Sequence, residues 1–594
     1  MSARLITLQA CLLTALCYVA FWNGLGHLDI TDLDEGLYAA AARDMALTGD
    51  WITPRVNGAP FFEKPPLLYW LSSSSIRWLG PTEAAVRTPT ALAASVLVFM
   101  TWLVGIRYLD RRAGFLSAAF LALSPISAGS GRLVTTDMLL TLTLSAGILL
   151  LFAARNARGS RAILASAAVG FLCGLAVLAK GAPGIMIPAG VVGIWTLLRR
   201  RRGIGAPSIV RNPALAGLAL MVFLATMLPW HLAAWRANGR SFTEEYVLRQ
   251  HIGRFKGGDV SHHAPPYFFI PGFIAGFFPW SLFTAAALCS RRGASQMANE
   301  SGGASEPAEN PTVELRSLLR TWFWVVFLVF SASGSKLISY ILPLYPPAAL
   351  LAGDWATAAQ ASVRGRRILI TGGFIAATLL ALTLGLFSWP DPLIRIIERY
   401  ANRPIEAPPL DAAILHTVQI LAATAAGGVL SFCVSMSLRR AAIAWTSLLA
   451  GMAMFLMIAV HRGIPLIDHE TVGSLHRLAA AAGARAGDEA SVAFLVGPPR
   501  RPSALFYLPD DLLKERRVTE RARALIATVP AGRSSPRTRD LWVVAPKRAA
   551  SILRQAGAVC TVRESDYELW VLRAIPPSKP SSDRRSHREE GTTS

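Results

Sequence analysis

The sequence has 594 residues, of which 53% are hydrophobic and only 16% are charged, and its mean hydropathy is +0.41. A soluble protein of this size needs charge on about a quarter of its residues to cover its surface. The composition therefore excludes a string of soluble domains, and it also excludes collagen-like, disordered and disulfide-stapled proteins. It predicts a polytopic membrane protein.

The net charge of +22 is the kind of value that indicates nucleic-acid binding in a soluble protein. Here, however, most cations lie in short clusters between apolar runs, and only on alternate connections. Cytoplasmic loops of membrane proteins show this pattern under the positive-inside rule. We therefore exclude nucleic acid as a partner. The clusters are Arg107/Arg111/Arg112, Arg155/Arg158/Arg161, Arg199 to Arg202 with Arg211, Arg291/Arg292/Arg316/Arg320, Arg364/Arg366/Arg367 and Arg439/Arg440.

Runs of about 20 apolar residues are long enough to cross a bilayer, and the sequence contains thirteen candidates, or twelve if the nearly fused pair around Lys180 is one span. The first has no small-residue cleavage site, so we expect a retained helix rather than a signal peptide. With the N-terminus inside, thirteen crossings place the C-terminal part outside, in agreement with every arginine cluster. The runs lie near 5–22, 84–106, 113–130, 137–154, 161–179, 182–198, 213–232, 269–289, 318–332, 337–357, 368–388, 411–437 and 441–460.

Two outward connections of this transmembrane domain, which spans 1–462, are much longer than a turn. The first covers 23–83, where Asp29 to Thr48 has helical spacing of its apolar residues. Within it, Pro66 to Leu79 is amphipathic and rich in Trp and Tyr, as expected for a helix at the lipid headgroup level. The second covers 233–268 and is rich in ionisable and aromatic residues.

Beyond residue 462 the character of the sequence changes. Short apolar runs of β type alternate with helical patterns, which predicts a small α/β domain over 463–575. The polar, Ser- and Arg-rich segment 576–594 is expected to be disordered. The β-type runs are 491–496, 541–545 and 567–572, and the helical patterns are 474–482 and 547–555.

The first outward connection opens with a group of acids, Asp29, Asp32, Asp34 and Glu35. A solvated helix start explains such a group, because acids are favoured near a helix N-terminus. Glu63 and Lys64 can likewise be an exposed pair of little energetic weight, and Asp137 can be the cap of an apolar span. All these acids nevertheless lie at one membrane face, where an active site could use them.

Cations are rare on the outward side, and the short outward turns carry three single ones, Arg132, Lys180 and Lys336. Because a positive charge there runs against the topology bias, we expect a compensating anion, which a lipid phosphate would supply. The simpler alternative is a long side chain that extends its charge to water at a helix end.

Eight short motifs occur in order over about the first 350 residues. They are Asp34-Glu35-Gly36-Leu37-Tyr38-Ala39, Gly49-Asp50-Trp51, Phe62-Glu63-Lys64-Pro65, Tyr69-Trp70, Thr136-Asp137, Ala179-Lys180-Gly181, Gln250-His251-Ile252-Gly253-Arg254-Phe255 and Lys336-Leu337-Ile338-Ser339-Tyr340-Ile341-Leu342-Pro343. Taken together, and in this order, these motifs resemble those of the bacterial aminoarabinose transferases, which belong to the protein-mannosyltransferase-like group of GT-C glycosyltransferases. One departure is Gln250, since the family usually has an acid directly before the histidine of the second loop.

The resemblance implies a GT-C-like membrane domain of about 13 helices and a periplasmic C-terminal domain. It implies that the catalytic acids are Asp34 and Asp137. It further implies that substrate and phosphate are bound by Lys64, Lys180, Arg254, Lys336 and Tyr340. A divalent cation is the one cofactor it suggests, at Glu63 and His251.

The chemistry of sugar transfer from a polyprenyl phosphate requires such residues. The departing phosphate must be stabilised by cations or a metal, and a carboxylate must accept a proton if the nucleophile is a hydroxyl. If the acceptor is itself a phosphate, as in lipid A modification, Asp34 would orient it rather than deprotonate it.

We therefore expect an integral-membrane glycosyltransferase with a polyprenyl-phosphate sugar donor and a lipid A-like lipid, a glycan or a protein as acceptor. It would lie in the bacterial inner membrane, with its active site and C-terminal domain on the periplasmic side. The alternative is a lipid or sugar transporter, or flippase, with an extracytoplasmic domain. Transporters place ionisable residues near the bilayer midplane, on interrupted and often repeated helices. This sequence shows no repeat, and its acids lie in a loop or at the end of a span.

Overall fold

The computed structural model of the chain describes residues 3–31, 34–253, 264–290, 310–388 and 412–463 of the N-terminal part. In the C-terminal part it describes 465, 473–486, 491–494, 502–507, 518–519, 541–546, 550–555, 558–563 and 567–572. The chain divides into two compact units, Met1–Thr471 and Val472–Ser594.

The first unit is helical, and several of its helices begin at side chains that cap them. The side chains of Thr82, Asp110, Asn212 and Asn310 each accept a hydrogen bond from a backbone N–H two or three residues further on. The helices are α1 Ala3–Cys17, α2 Asp34–Thr48, α3 Leu67–Leu79, α4 Glu83–Tyr108, α5 Arg111–Leu123, α6 Pro125–Ser130, α7 Thr136–Ala153, α8 Gly159–Lys180, α9 Pro183–Arg201, α10 Ser208–Arg211, α11 Pro213–Asn238, α12 Arg240–Phe242, α13 Phe269–Gly276, α14 Ser281–Cys289, α15 Pro311–Ala332, α16 Tyr345–Ala361, α17 Val363–Ser388, α18 Ala412–Ser437 and α19 Ala441–Ile458.

Each predicted span carries helix where the structure describes it, which confirms a polytopic α-helical membrane protein. Within the described residues, eight helices are long and apolar enough to cross a membrane, or nine if one bent pair counts as a single span. That pair, Pro266–Gly276 and Ser281–Cys289, bends by 118°. The predicted span over 269–289 is therefore a bent pair of helices; the break contains Pro279, which has no backbone N–H to continue a helix. The count of thirteen crossings stays a prediction.

At the arginine-rich end of the helices, some clustered cations are buried in ion pairs. The carboxylate of Glu314 at the start of α15 accepts hydrogen bonds from Arg155, which follows α7, and from Arg199 of α9, the latter at 2.6 Å. Arg316 of α15 similarly binds Asp354 of α16 at 2.8 Å. These contacts join the helices at that end, whereas the sequence pattern alone suggested only solvated loop charges.

The first long connection folds against the opposite, arginine-poor end of the same helices. Helix α2 packs on α3, where the hydroxyl of Ser73 donates to the carbonyl oxygen of Ala42 at 2.7 Å. A short hairpin of two antiparallel strands, β1 Arg55–Val56 and β2 Ala59–Pro60, lies between these helices in sequence. Both helices were predicted, although α2 begins at Asp34 and Asp32 lies outside the described residues.

The second unit contains a mixed five-stranded sheet, which confirms the predicted α/β character. The strands are β3 Ser491–Phe494, β4 Val518–Thr519, β5 Leu541–Pro546, β6 Val559–Arg563 and β7 Tyr567–Leu572, in the order β4-β3-β5-β7-β6. The first three strands in this order are parallel, and β7 runs antiparallel to both β5 and β6. Two helices accompany the sheet, α20 Gly473–Ala486 and α21 Ala550–Gln555. The sequence pattern missed β4 and β6. The segment 576–594 lies outside the described residues.

Candidate active site

The beginning of α2 is fixed by a buried ion pair. Glu35 and Arg87 of α4 are 3% and 1% exposed, and the guanidinium of Arg87 donates to both carboxylate oxygens of Glu35 at 2.8 and 3.0 Å. The same carboxylate accepts from the backbone N–H of Thr31 at 2.9 Å and from that of Val134 at 3.0 Å. Glu35 thus ties three segments together. It is not one of a set of interchangeable surface acids.

Burial opposes ionisation of Glu35, but the charge and hydrogen bonds of Arg87 outweigh it and hold the pKa of this carboxyl below its ordinary value. Arg87 also donates to the backbone carbonyl oxygens of Leu25 and Asp29, at 3.1 and 3.0 Å. Arg87 therefore holds both the first turn of α2, through Glu35, and the segment that precedes this helix. The sequence pattern missed Arg87, although a cation at the arginine-poor end of a span was a usable signal.

Asp34 is the first residue of α2 and lies directly beside this anchor. Its side chain is accessible to solvent, yet it is close enough to Glu63, Lys64, Asp137 and Lys180 for all four charges to act on it. Partial desolvation by the surrounding protein raises the pKa of Asp34, and the negative charge of Glu63 adds to this effect. The two lysines act in the opposite direction without reversing the shift. The structure therefore brings together acids and cations from four separate parts of the sequence.

Lys180 and Asp137 form an ion pair at the arginine-poor ends of two adjacent helices. Asp137 lies in the first turn of α7 and Lys180 is the last residue of α8, and the Lys180 ammonium donates to Asp137 Oδ1. Helix α8 ends there because Gly181 has a φ of +75°, a left-handed conformation that stops a helix. The ammonium also lies 4.1 Å from the centre of the Tyr340 ring, a favourable cation–π contact.

Lys64 has a similar pair of partners. Its ammonium donates to Glu63 Oε1 at 2.6 Å and lies 5.9 Å from the centre of the Tyr38 ring. Tyr38 belongs to α2, one helical turn after Asp34, so this one helix supplies both the acid and the ring that lies against Lys64. Each of the two lysines is therefore shared between a carboxylate and a tyrosine ring, and the pair Glu63–Lys64 is nearly buried rather than a surface pair.

One cavity of about 150 Å³ is lined by both lysines, together with Glu63 and Tyr340. The cavity is bordered by residues of the first long connection, by the turn between α8 and α9, and by residues of α15 and the segment after it. Its charged and polar lining residues are Glu63, Lys64, Lys180, Gln250, Ser333, Ser335 and Tyr340. A phosphate could be bound here by two ammonium groups, because partly buried charges interact more strongly than exposed ones.

The other predicted site residues differ in position. The buried ammonium of Lys336 donates to the carbonyl oxygen of Ser333, next to the cavity. The guanidinium of Arg132 donates to the backbone carbonyl oxygens of Ala20 and Asn23; an anion at this residue stays a prediction. Arg254 and the side chain of His251 lie outside the described residues.

Among the described residues, no three His, Cys, Asp or Glu side chains are grouped so that they could hold a metal ion. The carboxylate of Glu63 faces an ammonium group. A cation between Glu63 and His251 therefore stays a proposal, and no chemical step below is routed through it.

The chain is similar in sequence to known proteins. Residues 63–230 match the family described as dolichyl-phosphate-mannose-protein mannosyltransferase. The undecaprenyl phosphate-alpha-4-amino-4-deoxy-L-arabinose arabinosyl transferase of Pectobacterium carotovorum is 30% identical over 445 residues, 73% of this chain and 71% of that protein. The protein of the same name from Pectobacterium atrosepticum is 29% identical over 478 residues, 78% of this chain and 77% of that protein.

The fold is also similar to solved structures. The crystal structure of ArnT from Cupriavidus metallidurans bound to undecaprenyl phosphate gives a TM-score of 0.73 at 20% identity, covering 96% of this chain and 98% of that one. The apo structure of the same protein gives 0.68 at 21% identity, covering 95% and 98%. At these identities the likeness concerns the fold.

The relatives are transferases, so the comparisons favour the glycosyltransferase over the transporter alternative. The identity of 30% extends over more than two thirds of both proteins. The chain therefore belongs to the family of undecaprenyl phosphate-alpha-4-amino-4-deoxy-L-arabinose arabinosyl transferases, which are membrane glycosyltransferases with a polyprenyl-phosphate sugar donor.

Proposed function

We propose that this chain transfers a 4-amino-4-deoxy-arabinose-like sugar from undecaprenyl phosphate to a lipid A-like acceptor. We place the reaction at the periplasmic face of the bacterial inner membrane. The observation that supports it best is the single cavity where the ammonium groups of Lys64 and Lys180 lie within electrostatic range of Asp34. The names of the relatives supply the identity of the sugar and of the carrier lipid.

Binding of the donor phosphate follows from the two lysines. Each ammonium has three donor hydrogens, so Lys64 and Lys180 can bind phosphate oxygens while the tyrosine rings of Tyr38 and Tyr340 stay against them. When the bond between sugar and phosphate breaks, negative charge grows on the departing phosphate. Fixed cations stabilise that charge without having to reorganise. Asp137 holds Lys180 in position for this role.

Asp34 acts on the acceptor. A carboxylate whose pKa lies above its ordinary value is a stronger proton acceptor than an ordinary aspartate. With a hydroxyl acceptor, the nucleophile's proton passes to Asp34 as the oxygen attacks the sugar carbon. With the phosphate of a lipid A-like acceptor no proton needs to be removed, and Asp34 then orients the acceptor.

The side of the membrane follows from the position of the cavity. It lies where α7 begins and α8 ends, whereas Arg155 follows α7 and Arg158 precedes α8 at the opposite end. If the arginine-rich end is cytoplasmic, as the positive-inside rule requires, the cavity opens toward the periplasm. A lipid acceptor in the outer leaflet of the inner membrane can reach a site at that depth.

The decisive experiment compares acids in the first loop. Purified protein in lipid vesicles receives undecaprenyl-linked aminoarabinose and lipid A, and the product is measured by mass spectrometry. We expect Asp34→Asn to abolish transfer, because the amide keeps the shape but removes the charge. Asp29→Asn and Asp32→Asn should cost less than about tenfold, which is roughly 1.4 kcal/mol of barrier.

Protein amount and thermal stability must be matched, because a lost helix cap also destabilises. Equal small losses in all three variants would contradict the role of Asp34. Movement of the donor lipid without any product, in the wild type, would indicate a flippase. Product formed only on a glycan or a protein would retain the transferase but change the acceptor.

A further inference from the structure

The second long connection contains an irregular helix that places two polar side chains together. After α12 the chain forms a π-helix over Thr243–Gly253. In an α-helix, side chains three and four residues apart are neighbours. The wider π-helical turn, with its i to i+5 hydrogen bonds, lets residues five apart meet. Here Gln250 Nε2 donates to Glu245 Oε1 at 2.8 Å.

This contact fixes which way the amide of Gln250 points. The nitrogen and oxygen of a glutamine amide are similar in shape, and hydrogen-bond partners decide between the two orientations. An ionised carboxylate only accepts hydrogen bonds, so the NH₂ group must face Glu245. The other oxygen of Glu245 accepts from Arg249 at 3.2 Å, so both oxygens of this carboxylate act as acceptors. Gln250 Oε1 is therefore turned away from Glu245.

Gln250 Oε1 is a buried acceptor to which the described part of the chain brings no donor. Gln250 Oε1 has no hydrogen-bond partner among the residues that the structure describes, and the residue lines the same cavity as Lys64, Lys180 and Tyr340. Leaving a buried polar group without a hydrogen bond destabilises the folded protein. A ligand that brings a hydrogen-bond donor to this wall of the cavity would recover that energy.

We propose that Gln250 recognises the sugar of the donor lipid, with Oε1 accepting a hydrogen bond from a hydroxyl or amino group of the transferred sugar. The inference rests on the proposed function and adds a specificity-determining residue to it. An acceptor oxygen cannot bind an ionised phosphate, which also only accepts. The phosphate is therefore left to the lysines, and the amide recognises the group that distinguishes a loaded carrier lipid from an empty one.

Glu245 is a positioning residue in this scheme, since it acts only through the amide of Gln250. The neutral amide of Gln250 accepts a hydrogen bond without adding a negative charge to the cavity that Glu63 also lines. The sugar contact in this chain then depends on the orientation that Glu245 imposes, which a carboxylate with two equivalent oxygens would not need.

The test measures binding of two lipids to the full-length protein in detergent, without acceptor. One lipid is undecaprenyl phosphate carrying the amino sugar, and the other is undecaprenyl phosphate alone. In Gln250→Met, which keeps the length but removes the acceptor, we expect about tenfold weaker binding of the sugar-linked lipid, about 1.4 kcal/mol. Binding of the bare lipid should change less than twofold. Val247→Ala, on the exposed side of the same π-helix, is the matched control and should change neither.

A second variant provides an independent test. Glu245→Ala should weaken binding of the sugar-linked lipid less than Gln250→Met does, and the double variant should bind no more weakly than Gln250→Met, because the two residues act through one contact. Additive losses would overturn the positioning role. Unchanged binding of the sugar-linked lipid in Gln250→Met, or an equal loss for both lipids, would overturn the proposal.

The proposed function and this inference can fail separately. If the wild type binds the sugar-linked lipid more tightly than the bare one but forms no product with lipid A, the proposed acceptor is wrong and Gln250 still reads the sugar. If transfer proceeds and Gln250→Met binds both lipids as the wild type does, only the role of Gln250 is wrong. If the wild type binds the two lipids equally, the sugar is not read and the inference is wrong.

Discussion

Replacing Arg87 with methionine tests how the first loop holds Asp34 in place. The variant keeps an apolar stem of similar length in α4 but removes the guanidinium. Glu35 then loses two hydrogen bonds, at 2.8 and 3.0 Å, and its compensating charge. Removing one partner of a buried ion pair typically costs about 3–5 kcal/mol. Because Thr31 and Val134 still donate to this carboxylate, we expect the lower end, about 3 kcal/mol.

Thermal unfolding in detergent, followed by tryptophan fluorescence, measures this loss. Arg107→Met, at the exposed opposite end of the same helix, is the matched control and should change the midpoint little. The double variant with Glu35→Gln and Arg87→Met should be more stable than Arg87→Met alone, because Glu35→Gln removes the buried negative charge that Arg87 no longer compensates. Sugar transfer should fall more in Arg87→Met than in the control, since Asp34 directly precedes Glu35.

The pH dependence of this stability has a defined sign. The pKa of Glu35 is lowered in the folded protein, so the pair stabilises the fold above the ordinary pKa of a glutamate and loses this contribution as the pH falls through the folded value. Without Arg87, burial favours the protonated form of Glu35, so acidification lowers the free energy of unfolding of the variant less than that of the wild type. The stability gap between wild type and Arg87→Met should therefore narrow on acidification. An unchanged midpoint in Arg87→Met, or a double variant less stable than the single one, would refute the anchoring role.

Three other predictions concern the site and the topology. Because the pKa of Asp34 is raised, and Glu63 contributes to that rise, the rate of transfer should fall on acidification at a higher pH than it would with an ordinary aspartate. Glu63→Gln should move this acidic fall in rate to lower pH. A fall that stays at the same pH would contradict the role of Asp34 as the titrating carboxylate. If a cation bridges Glu63 and His251, exhaustive chelation should stop turnover and metal analysis should find a divalent ion in purified protein; full turnover without metal would remove the cation. A reporter active only outside the cytoplasm should work after Trp51 and be silent after Arg201, and the reverse pattern would overturn the topology.

The sequence by itself determined the class of protein and most of its elements. Hydropathy marks each apolar run independently of the rest of the chain, because a membrane span must satisfy its backbone internally and cover its length with apolar side chains. The two loop helices, α2 and α3, followed from helical spacing in the same local way. Because the motifs lie in family order, they also indicated which acids and lysines to expect at the site, including Asp34, Lys64 and Lys180.

The tertiary structure decided which charges meet. Asp34 and Glu35 are adjacent and chemically alike, and no periodicity separates an accessible acid from one buried against Arg87. Lys180 and Asp137 lie 43 residues apart and pair only because their helices pack side by side. Gln250 became informative only through its contact with Glu245 and its place in the cavity. Sequence patterns report the local balance of polar and apolar side chains, whereas the partners of a buried charge depend on packing between segments distant in the chain.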